Sequence, residues 1–125
     1  LVRRIEQEAD YHDVNTIKVV MNQQGDALYM SRQPIPTLSK AGFSATQAYK
    51  QVCIIPFRRD VLLRYTQLAP TPLEKLESID MLRLLEHGYP VRMIETQYNS
   101  QAVDTEADLA RVAQLMATDP ILSQY

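Results

Sequence analysis

The stretch Thr71–Gly88, TPLEKLESIDMLRLLEHG, decides how the rest of the chain is read. Thr71 is suited to an N-cap, Pro72 to the first helical position, and Glu74 completes a Thr-x-x-Glu capping box. Gly88 supplies the stop, so the spacing predicts one helix over 72–87. Leu73, Leu76, Ile79 and Leu84 give it an apolar stripe. Before it, Asp60 can cap a segment in which Val61, Leu62, Leu63, Tyr65 and Leu68 recur at helical spacing up to the break at Ala69-Pro70. Upstream again, Gln51–Phe57 (QVCIIPF) is a continuous apolar run of strand length, the pattern of a central strand covered on both faces. Beyond the helix, Val91–Glu95 reads as a short strand.

The flanks follow the same logic. Thr16–Met21 is β-branched and reads as a strand, Asn22–Asp26 carries the chemistry of a reversal, and Ala27–Met30 returns as its partner. Pro34 and Pro36 end any ladder and make Ser31–Thr37 an extended arm. The pattern up to Tyr49 is that of a loop with one turn of helix. Thr105–Met116 reads as a last amphipathic helix turning Leu109, Val112, Ala113 and Met116 inward. Strand and helix alternate in the second half, so the fold class is α/β, a layered mixed sheet with flanking helices, with residues 1–125 forming a single or partial domain.

Composition excludes several function classes. With 46% hydrophobic and 22% charged residues and a net charge of −2, the chain offers no electrostatic argument for nucleic acid or an anionic membrane. Arg3-Arg4 and Arg58-Arg59 read as solvated surface charge. The single cysteine, Cys53, rules out an internal disulfide and reads as a small buried side chain. No apolar stretch is long enough to span a bilayer and the opening LVRRIEQEAD lacks the hydrophobic core of a signal peptide, so a cytoplasmic address is expected. The start at Leu1 reads as a chain cut from something longer. Only three glycines occur, none clustered, so no loop here can cradle a triphosphate.

Some residues break the pattern. Asp80 falls four residues after Leu76 and four before Leu84, on the apolar stripe, where an unpaired carboxylate is costly. Either it pairs with a cation such as Arg83 at the stripe's edge, or it faces a ligand site. Arg32 leaves a strand just before the proline arm, either as an exposed strand-end cation or as a bidentate partner for a carboxylate or phosphate. His12 and His87 have no partner at metal-ligand spacing, and the helix dipole accounts for His87. Near the C-terminus, QAVDTEADLARV (Gln101–Val112) contains one acid too many. Thr105 and Asp108 form a complete capping arrangement and Glu106 already favours the dipole, so Asp104 is surplus to the cap. It stands just before a helix, at the kind of edge where α/β proteins bind ligands.

Four ordered segments together resemble the C-terminal half of bacterial 3-deoxy-manno-octulosonate cytidylyltransferases, the CMP-Kdo synthetases. They are Asn15–Val20; Ala27–Arg32 with Ile35-Pro36; Pro72-Leu73-Glu74 through Leu82-Arg83 with Gly88; and Val103-Asp104-Thr105 with Asp108-Leu109. The resemblance implies the C-terminal part of a nucleotide-diphospho-sugar transferase-like, Rossmann-like fold, with the N-terminal nucleotide-binding half absent. It implies transfer of CMP from CTP to a 3-deoxy-ulosonic acid such as Kdo, with release of pyrophosphate, for lipopolysaccharide or capsule biosynthesis. Mg²⁺ is the implied cofactor and a homodimer the implied assembly, with the arm Met30–Thr37 at its interface. By position, Asp104 matches a catalytic metal aspartate, Arg32 a sugar-pocket arginine, and Asp80 an acidic contact to a sugar hydroxyl.

The departures fall in that pocket. Where the family commonly has His and Tyr on the central strand this chain has Gln51 and Ile55, and the usual Gln beside the acidic helix residue is Met81. One amide and two apolar groups replace three polar contacts, which predicts a sugar differing from Kdo in at least one substituent or a weaker hold on Kdo. Two other readings fit the same residues: a non-catalytic sugar-binding or interaction module that kept the scaffold, and a neuraminate-type CMP-sugar synthetase. As isolated, the 125 residues are expected to be inactive.

Overall fold

The computed structural model describes residues 1–98, 102–103 and 105–122. Its sheet contains β1 (Val2–Arg4), β2 (Lys18–Met21), β3 (Ala27–Ser31) and β4 (Tyr49–Gln51) in the order β1-β4-β2-β3. The pairs among these strands are antiparallel. The expected mixed sheet is thus an antiparallel one, with a single isolated parallel bridge from Val2 to Glu95 outside its strands among the described residues. The hairpin β2–β3 forms where the sequence predicts it. Asn22 Oδ1 accepts from the N–H groups of Gln24 and Asp26, both at 2.9 Å, and Gly25 takes φ +84, which glycine adopts without a Cβ penalty.

Around the sheet lie α1 (Glu8–His12), α2 (Arg59–Tyr65), α3 (Pro72–Glu77), α4 (Met81–Glu86) and α5 (Glu106–Ala117). The predicted helix over 72–87 is therefore two. Ser78 closes α3 in the left-handed region at φ 53, ψ 50. Ser78, Ile79 and Asp80 are all weak helix formers, and Ser and Asp side chains compete for backbone hydrogen bonds. The break changes which side chains are buried: Ile79 is 2% exposed, whereas Leu76 is 80% exposed. Asp80 accordingly leaves the apolar stripe and lies exposed at the start of α4. The Thr71 N–H donates to Glu74 Oε2 at 3.1 Å, whereas Thr71 Oγ1 is buried without a hydrogen-bond partner and the N–H groups of Leu73 and Glu74 donate to Glu86 Oε2 at 3.1 and 3.3 Å; Gly88 stops α4, not α3, at φ +77.

The central-strand reading of 51–57 is corrected. Only Gln51 stays in the ladder, with β4 an inner strand between β1 and β2. Val52 is buried, but Cys53, Ile54 and Ile55 are exposed, because no second layer covers this run among the described residues. Cys53 is thus not a buried side chain. Val91–Glu95 makes bridges at Arg92 and Glu95 without becoming a strand. The last helix forms with its predicted cap: Thr105 Oγ1 accepts from Asp108 N–H at 3.2 Å, and Asp108 Oδ2 accepts from Thr105 N–H at 3.1 Å. Its apolar residues do not turn inward. Leu109 is 59% and Met116 49% exposed, and no described residue of α5 is buried.

β1 and α1 arise where the sequence analysis expects only surface charge. Val2 and Ile5 are buried, Arg3 is half-buried and donates to the Gln97 carbonyl, and Arg4 is exposed. The main core joins Val2, Val19, Met30, Ile79, Leu82 and Leu84 between the sheet and the α3–α4 pair. A smaller core of Ile5, Tyr11 and Ala48 lies under the 38–43 loop.

Candidate functional site

The site is built on the end of β4. Gln51 pairs across to Val2 on β1, and its N–H donates to the Ile17 carbonyl at 2.8 Å, which fixes the strand end between two neighbours. Past that point the chain leaves the sheet, and Gln51 lines an opening beside it. That opening is a cleft of about 400 Å³ between the 55–61 segment, α4 and the 89–94 segment. Ile55, Phe57, Met81, Tyr89 and Met93 make its walls apolar. Gln51, Ile55 and Met81, the positions read from the sequence as departures from the resembled family, line this one cleft.

Gln51 Oε1 is buried without a hydrogen-bond partner. An unsatisfied acceptor in such a place costs about 1–3 kcal/mol. Gln51 also lines a second cleft of about 300 Å³, which is polar. Its charges are largely matched: Lys50 meets Asp10 at 2.8 Å and Arg111 meets Asp108 at 3.1 Å.

Arg32 and Asp80 are not among the residues lining either cleft. The Arg32 guanidinium is held by backbone: Nε donates to the Glu77 carbonyl at 2.8 Å, Nη1 to Val14 at 3.1 Å and Nη2 to Ser78 at 3.2 Å. Five N–H groups less these three leave one on each terminal nitrogen, enough for a carboxylate. Asp80 makes no side-chain capping bond. The expected partner of Asp80, Arg83, bonds instead to Glu74, with Nε donating to Oε2 at 2.8 Å. Asp104 lies outside the described residues. Among those residues no group of three carboxylate, imidazole or thiolate side chains could hold a metal ion.

Sequence reasoning missed two residues that organise this region. Lys18 is fully buried, and its ammonium donates to the carbonyls of Asp13 and Thr16, both at 2.7 Å, and of Arg32. Burial lowers its pKa, and the nearby Asp13 opposes that shift. A lysine inside the β-branched run 16–21 was the available signal. The second is Glu77, one turn before Asp80. Its Oε1 accepts from Tyr29 Oη at 3.0 Å and Ser31 Oγ at 2.8 Å, and its Oε2 from the Arg32 N–H at 3.0 Å. Burial pushes its pKa up, but these donors and the Arg32 charge outweigh burial and hold it below the usual value.

A family model described as cytidylyltransferase matches residues 1–100. The chain belongs to the cytidylyltransferase family. Among relatives of this cytidylyltransferase chain, the 3-deoxy-manno-octulosonate cytidylyltransferase of Solibacter usitatus is 44% identical over 115 residues, covering 92% of this chain and 45% of the relative. That of Geobacter metallireducens is 39% identical over 126 residues, covering 94% and 50%. A solved structure of CMP:2-keto-3-deoxy-manno-octonic acid synthetase complexed with CTP superposes with a TM-score of 0.81 at 40% identity, covering 93% of this chain and 47% of that one. The match supports a nucleotide-diphospho-sugar transferase fold for this cytidylyltransferase. It spans about half the length of the curated relatives it matches.

Proposed function

We propose that this chain is the acceptor-sugar half of a CMP-ulosonic acid synthetase, and that the complete protein transfers CMP from CTP to a 3-deoxy-ulosonic acid of the Kdo class. The anomeric hydroxyl oxygen attacks the α-phosphorus, the bond from that phosphorus to the bridging oxygen of pyrophosphate breaks, and the hydroxyl proton is lost to a base. Such a product would feed lipopolysaccharide or capsule synthesis in the cytoplasm. The observation that carries the reading is the cleft bearing Gln51, Ile55 and Met81, in a chain that superposes at 0.81 on a synthetase complexed with CTP. The neighbour's bound CTP supports the nucleotide; the sugar class rests on the cleft and on the named relatives.

Within this reading Gln51, on the cleft wall, is the polar contact of the sugar body, while Arg32 for the acid's carboxylate and Asp80 for a sugar hydroxyl are roles taken from the family resemblance, at residues that line neither cleft. Mg²⁺, held by Asp104 with a second aspartate from the N-terminal half, would neutralise phosphate charge when bound. The arm Met30–Thr37 would contribute to a homodimer. With Ile55 and Met81 on its walls, the cleft favours a sugar that presents one donor to Gln51 and carries at least one fewer hydroxyl, or another substituent, where Kdo is polar.

The test is pyrophosphate release by the full-length protein with CTP and a panel of ulosonic acids, alongside this 125-residue chain alone. The full-length protein should turn over, should prefer another acid to Kdo or bind Kdo weakly, and should lose that preference in Gln51→His/Ile55→Tyr. Ordinary efficiency with Kdo and failure of the other acids would refute the altered sugar. Turnover by the chain alone would refute its being half an enzyme.

A further inference from the structure

We propose that Glu77 is a positioning residue for Arg32, locking that arginine at the end of β3 so that its two remaining terminal N–H groups face a ligand carboxylate. The proposal rests on Arg32 as the contact for the sugar acid.

The two residues clasp each other twice. The Arg32 N–H donates to the Glu77 carboxylate at 3.0 Å, and the Arg32 Nε–H donates to the Glu77 carbonyl at 2.8 Å, across 45 positions of sequence. The second carboxylate oxygen is held by Tyr29 and Ser31, so the carboxylate cannot swing away from the strand end. From the other side, the Lys18 ammonium donates to the Arg32 carbonyl. Both backbone polar groups of Arg32 are thus fixed by buried or half-buried charges, and three of its five side-chain N–H groups by carbonyls. A fully extended, hydrated arginine would lose rotamer entropy when it met a carboxylate. One already held loses little, and that difference appears as affinity for the acid alone.

The test uses the full-length protein, with KM for the ulosonic acid and for CTP measured separately. Glu77→Ala should raise the KM for the acid about tenfold, the equivalent of one hydrogen bond of moderate strength, and leave kcat and the KM for CTP within about twofold. Glu77→Gln should restore most of the loss, because its amide oxygen can take the Arg32 N–H while the hydroxyls of Tyr29 and Ser31 turn to accept from its NH₂. Tyr29→Phe and Ser31→Ala, which each remove one anchor of the same carboxylate, should raise the KM for the acid in the same direction but by less than Glu77→Ala, and leave the KM for CTP unchanged. In an Arg32→Ala background Glu77→Ala should add nothing further.

Additive effects in that background, or both KM values rising together as the melting temperature falls, would make Glu77 purely structural and overturn the proposal. If Arg32→Ala raises the KM for the acid and Glu77→Ala does not, the positioning role alone fails. If Arg32→Ala has no effect, Arg32 is not the carboxylate contact and the proposal falls with it. Should Glu77→Ala fail to accumulate, Glu77→Asp carries the same test, since one methylene less cannot span from Ser31 to the Arg32 N–H.

Discussion

Arg83 on α4 donates through Nε to Glu74 on α3 at 2.8 Å, across the left-handed turn at Ser78. The guanidinium also stacks 4.7 Å from the ring centroid of Tyr65, so one side chain ties three helices. Both charges are mostly withdrawn from water, and removal of one leaves the other uncompensated. Glu74→Gln is therefore expected to destabilise the chain by at least ~2 kcal/mol. Chemical denaturation of the variant measures it, and a change below about 0.5 kcal/mol would mean that the pair is merely a surface contact.

Acid should act through the same carboxylates. The hydrogen bond from Arg83 holds Glu74 below the usual range. For Glu77, burial works upward but is outweighed by the N–H of Arg32 and the hydroxyls of Ser31 and Tyr29, so it too is lowered. A carboxyl whose folded pKa is depressed contributes stability that is complete above its unfolded value, about 4.3 for Glu, and lost as pH falls through the folded value. The thermal midpoint should hold steady from neutrality to about pH 5 and drop steeply below about pH 4, with a shallower drop in Glu74→Gln.

Ser78 is the described non-glycine residue at positive φ. Glycine takes that backbone without steric cost, so Ser78→Gly should raise stability by up to ~1 kcal/mol, and Ser78→Val should lower it. Melting temperatures of the pair decide this. A loss with glycine would mean that the turn does not hold a left-handed residue in solution.

Leu82 and Leu76 separate the two-helix fold from a continuous helix. Leu82 is fully buried in the main core, whereas Leu76 is 80% exposed. Leu82→Ala should cost about 2–5 kcal/mol and Leu76→Ala less than about 0.5 kcal/mol in this chain. Equal losses would restore one unbroken stripe.

What the sequence made legible was mainly local. The hairpin at Asn22–Asp26, the Glu74 bond back to the Thr71 N–H and the cap at Thr105 depend on side chains bonding backbone two or three residues away, and all three formed. Periodicity failed where burial depends on a distant layer. The stripe through Leu76 and Asp80 assumed that α-helical geometry persists past Ser78, and the run 52–57 looked central because apolar residues normally have cover. Glu77 and Lys18 were overlooked because a helix glutamate and a strand lysine are ordinary until their partners, 45 and 14 positions away, are seen. For the candidate site, spacing could nominate Arg32 and Asp80 singly, but only folding gathers Gln51, Ile55 and Met81 around one cleft. Asp104, read as surplus to its helix cap, lies outside the described residues.

Because Gln51 lines both the apolar and the polar cleft, neither can be altered at that position without altering the other. A lineage that changed sugars by replacing this residue would reshape its charged neighbour in the same step. Compensating changes are then expected at Lys50, Asp10 or Arg111, and substitutions at these positions should be epistatic with those at Ile55 and Met81.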